Sequence, residues 1–93
     1  MTEKQILKVD RIHLLEGSGA TKAFCSLLIL DTFCVKGFRV VQGKEGLFVS
    51  MPREQGKDTK WHDTFFPVSS EMRKKLHELI LESYAKHKER EDK

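Results

Sequence analysis

Little in this chain points to a covalent scaffold or a membrane. Its 93 residues include two cysteines, two prolines, one tryptophan and one tyrosine. Two cysteines cannot build the disulfide framework that replaces a core in small secreted domains. Cys25 and Cys34 both sit in apolar, strand-like context. Pairing Leu30 with Phe33 across an Asp31-Thr32 turn would set Cys34 opposite Ile29, not Cys25, so two buried free thiols are expected. No apolar run approaches the ~18–20 residues of a membrane span. The opening MTEKQILK lacks the apolar segment of a signal peptide, so a cytoplasmic protein with no membrane span is expected. Neither sign of charge dominates: 17 Lys and Arg stand against 14 Asp and Glu, a formal net charge of +3. That excludes a tail-driven polycation and permits nucleic-acid binding without demanding it.

What is present is organised around Phe33 to Pro52, FCVKGFRVVQGKEGLFVSMP. Apolar residues alternate at Phe33 and Val35, at Phe38 and Val40, and at Leu47, Val49 and Met51. Period two marks strands, and β-branched and aromatic residues suit them. Gly43-Lys44-Glu45-Gly46 predicts a four-residue hairpin loop. Pro52 has no N–H for a ladder and should end the second strand or sit on an edge. The apolar phase slips between Val35 and Phe38, which are three apart. Either a β-bulge at Lys36-Gly37 returns Phe38 to the core side, with Gly37 taking the unusual dihedrals, or the sheet is covered on both faces.

The rest of the chain fits around this hairpin. Ile6–Leu15 reads as a first strand with neither parity cleanly apolar, which suggests an edge position or a twisted start. Glu16–Ala20 is a turn by composition; its Gly-Ser-Gly lacks the ending of a phosphate loop. Lys22–Leu30 is apolar on both parities, as in a central strand covered on both faces. Arg53–Lys60 is polar and expected to be an exposed loop. Lys60–Phe66 reads as a fifth strand ended by Pro67. Ser69 or Ser70 caps a helix from about Glu71 to Lys88, with Met72, Leu76, Leu79, Ile80 and Tyr84 as its apolar stripe. The fold class expected is α+β: about five antiparallel strands followed by one amphipathic helix packed on them. Residues 1–88 should form one domain and residues 89–93 a charged, frayed tail. One helix cannot cover five strands, so a homodimer through the sheet is expected.

Groups for catalysis are badly placed. His62 and Asp63 are adjacent on a strand and point to opposite faces. His77 and His87 stand about 15 Å of helical rise apart. No Cys/His spacing suits zinc. No catalytic residue, metal or cofactor is therefore assigned. Asp63 shares a parity with Trp61 and Phe65; if that face is inward, Asp63 needs a partner such as Arg39 or Arg73, and Trp61 is core. An exposed Trp61 or His62 would instead stack on bases. The basic residues fall into three groups: Lys36 and Arg39 on the third strand; Arg53, Lys57 and Lys60 in and beside the polar loop; Arg73, Lys74 and Lys75 opening the helix. Cations at a helix start oppose its dipole, which hints at an external anion. Interleaved Glu54, Asp58, Glu71 and Glu78 suit an ordinary solvated face equally well.

Phe33…Val35, Arg39-Val40, Gly43 and above all Gly46-Leu47-Phe48-Val49-Ser50-Met51-Pro52 carry a family likeness. Asp63, Pro67, Ser69–Arg73 and Leu76…Leu79-Ile80…Tyr84 continue it. The chain resembles the SpoVG family of bacterial stage V sporulation and septation regulators over about two thirds of its length, Phe33 to Tyr84. The resemblance implies a dimeric, non-enzymatic regulator that binds DNA and RNA and acts on sporulation and septum formation. The residues that would contact phosphates are Lys36, Arg39, Arg53, Lys57, Lys60, Arg73, Lys74 and Lys75. The alternative is a protein–protein adaptor in septation that binds no nucleic acid. The chain departs from relatives at Arg53-Glu54-Gln55, Phe66 and Ser69, and in its mixed-charge tail.

Overall fold

The computed structural model describes residues 6–17 and 19–91; the chain's start, residue 18 of the Gly-Ser-Gly turn and the end of the charged tail lie outside the described residues. Four strands, β1 (Leu7–Leu14), β2 (Thr21–Ile29), β3 (Phe33–Gly43) and β4 (Gly46–Ser50), form an antiparallel sheet in the order β1-β2-β3-β4. A separate antiparallel hairpin follows, β5 (Arg53–Gln55) and β6 (Trp61–Asp63). One helix, α1 (Ser70–Glu91), completes the α+β layout. The expected fifth strand is thus short and stands outside the main sheet. It pairs with Arg53–Gln55, which polarity had marked as loop. Backbone groups need partners whatever the side chains are, and here Gly56 N–H donates to Lys60 O at 2.9 Å to close the turn.

Of the two readings of the phase slip, the β-bulge is the one found in β3. Lys36 pairs with Ser26 and Phe38 with Cys25, so one residue is extra and Gly37 takes φ 104°. Val35 and Phe38 then share a face, and Phe38 is fully buried. Burying a phenylalanine is worth ~1.5–3 kcal/mol. One interrupted ladder hydrogen bond costs about 1 kcal/mol, so the bulge wins. A second bulge, not foreseen, lies in β1 at Asp10. It moves the inward positions from Leu7 and Val9 to Ile12 and Leu14, all of which pack on the core. This is why neither parity of β1 is uniformly apolar. Its edge position is as expected.

α1 lies on one face of the sheet. Leu76, Ile80 and Tyr84 are buried against Ala23, Cys25, Leu27, Phe38, Val40, Val49 and Met51. Ser69 is the cap: its Oγ accepts the Met72 N–H at 3.1 Å, satisfying one of the free donors of the first turn. Among the described residues no helix or strand covers β2 on the other face, so β2 is not covered on both sides: Phe24 there is 46% exposed.

Two turns differ from expectation. Phe33 pairs with Ile29 and Cys34 with Leu28, because the β2–β3 turn holds three residues, not two. Leu30 and Asp31 adopt φ 53° and 54°, and Thr32 N–H donates to Ile29 O at 2.9 Å. Gly43 pairs with Gly46, so the β3–β4 loop is the two-residue Lys44-Glu45. Both cysteines are free, but only Cys25 is buried; Cys34 is exposed on the open face.

Candidate nucleic-acid interface

The β3 bulge and Pro52 position this surface. Pro52 follows β4 and lies against Gly37. Its carbonyl accepts both the Thr64 N–H (2.8 Å) and the Thr64 hydroxyl (3.2 Å), which pins the β5–β6 hairpin beside β3. An open cleft of ≈ 770 Å³ results. Lys36 and Arg39 enter it from β3, Arg53 and Glu54 from β5, and Trp61 from β6. Three cations face one carboxylate in that lining.

Trp61 is 60% exposed, so it is not core. All three residues of β6 are exposed, and the parity shared with Phe65 does not hold beyond Asp63, where β6 ends. Phe65 alone packs inward, edge-on to Phe38 with ring centroids 5.6 Å apart. Asp63 pairs with neither Arg39 nor Arg73. Arg53 Nε donates to its Oδ1 at 2.9 Å across the hairpin, with side chains 46% and 35% exposed. An exposed pair of this kind is worth at most about 1 kcal/mol. His62 points away from Asp63, and its Nε2 lies 3.2 Å from Asp58 Oδ1.

The eight basic residues selected from sequence do not form one patch. Lys36, Arg39 and Arg53 share the cleft. Lys57 and Lys60 are exposed in the adjoining turn. Asp58 Oδ1 accepts the Lys60 N–H there at 3.1 Å. Arg73, Lys74 and Lys75 are exposed on α1, outside the cleft lining, and Lys75 lies 3.7 Å from Glu71. The helix covers the sheet face opposite Lys36 and Arg39, so these groups belong to different sides of the molecule.

Sequence reasoning missed Arg11. The ladder aligns it with Ser26 and Lys36 on the open face. The signal was the change of parity from Leu7-Val9 to Ile12-Leu14, the same three-residue slip that revealed Gly37. Among the described residues two groups are shifted from their ordinary values. Burial, then the Asp10 carboxylate, pushes the Cys25 thiol up to about 11. Burial, then Arg73, lowers the His77 imidazole. Among the described residues no three His, Cys, Asp or Glu side chains gather as metal ligands, and no helix is long and apolar enough to cross a membrane.

Comparison with known proteins agrees with the motif. The SpoVG family profile matches residues 4–86. A protein of Archaeoglobus fulgidus that bears the septation-protein name SpoVG is 43% identical over 74 residues, covering 80% of this chain and 87% of that one. Another so named, from Agathobacter rectalis, is 36% identical over 74 residues, covering 80% and 85%. A third, from Listeria monocytogenes, is 35% identical over 81 residues, covering 87% and 79%. This chain belongs to the SpoVG family.

Proposed function

We propose that this SpoVG-family protein is a cytoplasmic, non-enzymatic regulator that binds nucleic acid through the cleft beside Pro52 and acts on septation or sporulation. The observation that carries the reading is the convergence of Lys36, Arg39 and Arg53 on one open cleft with the exposed Trp61. Cations fix a phosphate backbone electrostatically, and an exposed indole offers a stacking face. Lys57 and Lys60 extend the positive rim. Arg73, Lys74 and Lys75 would serve as a second contact on the helix side, reached by a long or bent ligand or by a second protomer of a homodimer.

Fluorescence anisotropy across a salt series tests this. Each phosphate contact contributes a log–log slope of about −0.9 on duplex and about −0.7 on single strands. Replacing Lys36 and Arg39 with alanine should flatten the slope by roughly two contacts' worth. The triple alanine variant at 73–75 reports separately on the helix side. Absence of binding at low salt sinks the proposal.

One feature favours an adaptor or dimer. Ile6, Leu30 and Phe33 are 51%, 47% and 62% exposed at one end of the sheet, held together by the Leu30 N–H to Ile6 O bond at 2.8 Å. Such a patch suits a protein partner. A sedimentation mass that halves on Phe33→Ser would assign it to self-association.

A further inference from the structure

The open face of the main sheet has a composition unlike a merely uncovered surface. Its cross-strand rows follow from the ladder. Lys8, Leu28 and Cys34 form one row; Arg11, Ser26 and Lys36 the next. His13, Phe24, Arg39 and Ser50 form the third, and Thr21, Val41 and Phe48 the fourth. These rows hold four formal cations and no carboxylate. The carboxylate of Asp10, in the β1 bulge, also reaches this face, and it accepts from Ser26 Oγ at 3.2 Å and Cys34 Sγ at 3.6 Å. Two phenylalanines stand out of the same face, Phe24 at 46% and Phe48 at 45% exposed. Ser26 is small, and Gly37 has no side chain. Between Arg11, His13, Phe24 and Lys36 they leave a shallow depression of ≈ 230 Å³.

We infer that this face is a base-stacking platform for single-stranded nucleic acid, with Phe24 as its principal stacking residue and Arg11, Lys36 and Arg39 holding the phosphates. The inference rests on the nucleic-acid reading above and assigns its substrate class and a surface beyond the cleft. First, the surface is continuous: Lys36 and Gly37 line both the depression and the cleft, so a strand laid across Phe24 runs on to Trp61. Second, aromatics on a sheet flanked by cations suit splayed bases, the arrangement by which four-stranded RNA-binding sheets stack two or three bases. A duplex buries its base faces, and its major groove admits a helix or a two-stranded ribbon, not a broad sheet. Third, the charge opposes the rival occupant. A second copy laid face to face would bring the Arg11, Lys36 and Arg39 clusters of both copies into one interface, and like-charge juxtaposition is unfavourable. A polyanion removes that repulsion.

The test uses labelled oligo(U), oligo(dT) and a short mixed-sequence duplex with the full chain and two variants, Phe24→Leu and Phe48→Leu. Leucine keeps apolar bulk and removes the ring. Loss of one base stack weakens binding by about five- to hundredfold. Phe24→Leu should therefore lose that much on a single strand while duplex binding stays close to the parent's. Loss on both single strands indicates stacking alone; loss on oligo(U) only names RNA as the ligand. Phe24→Leu binding single strands like the parent overturns the inference and leaves the cleft reading intact. A parent chain that binds none of the three probes overturns both. A fall in sedimentation mass with Phe24→Leu overturns it in favour of a second copy on this face. Independently of either variant, photocrosslinking of a 5-iodouracil oligonucleotide to the parent chain should label the peptide carrying Phe24; labelling confined to the helix overturns the inference.

Discussion

Gly37 lies flat against Pro52: a Cβ built on Gly37 would stand 3.2 Å from Pro52 Cβ, at a backbone φ of 104°. The two residues thus lock the β3 bulge to the chain leaving β4. That contact sets the spacing between Lys36, Arg39 and the β5–β6 hairpin, and so the shape of the cleft.

Gly37→Ala should destabilise the protein by about 1–3 kcal/mol, the cost of a side chain in a sparsely populated backbone region. Gly46→Ala is the control. Gly46 has φ 126° but nothing within 4 Å of its notional Cβ. It carries the backbone penalty without the Pro52 contact, so Gly37→Ala should be the worse of the two. Urea unfolding measures both. A Gly37→Ala protein as stable as the parent would mean that the bulge does not depend on glycine.

Asp63→Asn should leave stability within about 1 kcal/mol, since its pair with Arg53 is exposed. It removes a negative charge beside the cleft and frees the Arg53 guanidinium for an external phosphate. A unit charge at ~4 Å in water is worth about 1 kcal/mol, so nucleic-acid affinity should rise about fivefold. Anisotropy checks this, and weaker binding by the variant would show that Arg53 needs Asp63 to hold its orientation.

The thiols should behave differently. Cys34 is exposed and Cys25 buried, so Ellman's reagent should titrate one thiol in the native chain and two in denaturant. The Cys25 pKa is raised to about 11 from 9.0. Between these values the unfolded chain loses the proton and the folded chain keeps it. The folded state therefore binds more protons, and stability falls as pH rises from about 9 to about 11, by at most ~3 kcal/mol. Cys25→Ala should lack this component; the difference between the two proteins' urea midpoints across that range isolates it.

The candidate site was legible in pieces. Lys36, Arg39, Arg53 and Trp61 could each be picked out by residue type, and the Gly-Leu-Phe-Val-Ser-Met-Pro run named the family. What the strand pattern did not convey was that Trp61 faces water. Its alternation with Asp63 and Phe65 looked inward, but β6 is a three-residue strand in a hairpin outside the main sheet. Alternation tells which residues share a face, not whether that face meets a core. The Arg53–Asp63 pair was hidden for the same reason, because cross-strand partners follow from register and the segment holding Arg53 had no strand signal.

By itself, the amino-acid order marked the local devices: a phase slip at Gly37 that a bulge could absorb, the stop at Pro52, a serine cap at 69 or 70, and the helix stripe of Leu76, Ile80 and Tyr84. Each depends on neighbours a few residues away, through backbone sterics and the periods of helix and strand. Tertiary structure alone decided how the basic groups divide. α1 occupies one face of the sheet, and the hairpin swings beside the other. Lys36, Arg39 and Arg53 therefore meet around Trp61, while Arg73, Lys74 and Lys75 are carried to the opposite side. Which cations share a surface depends on contacts between residues far apart in the chain, and those are set by how the layers pack to bury Phe38, Leu76 and Ile80.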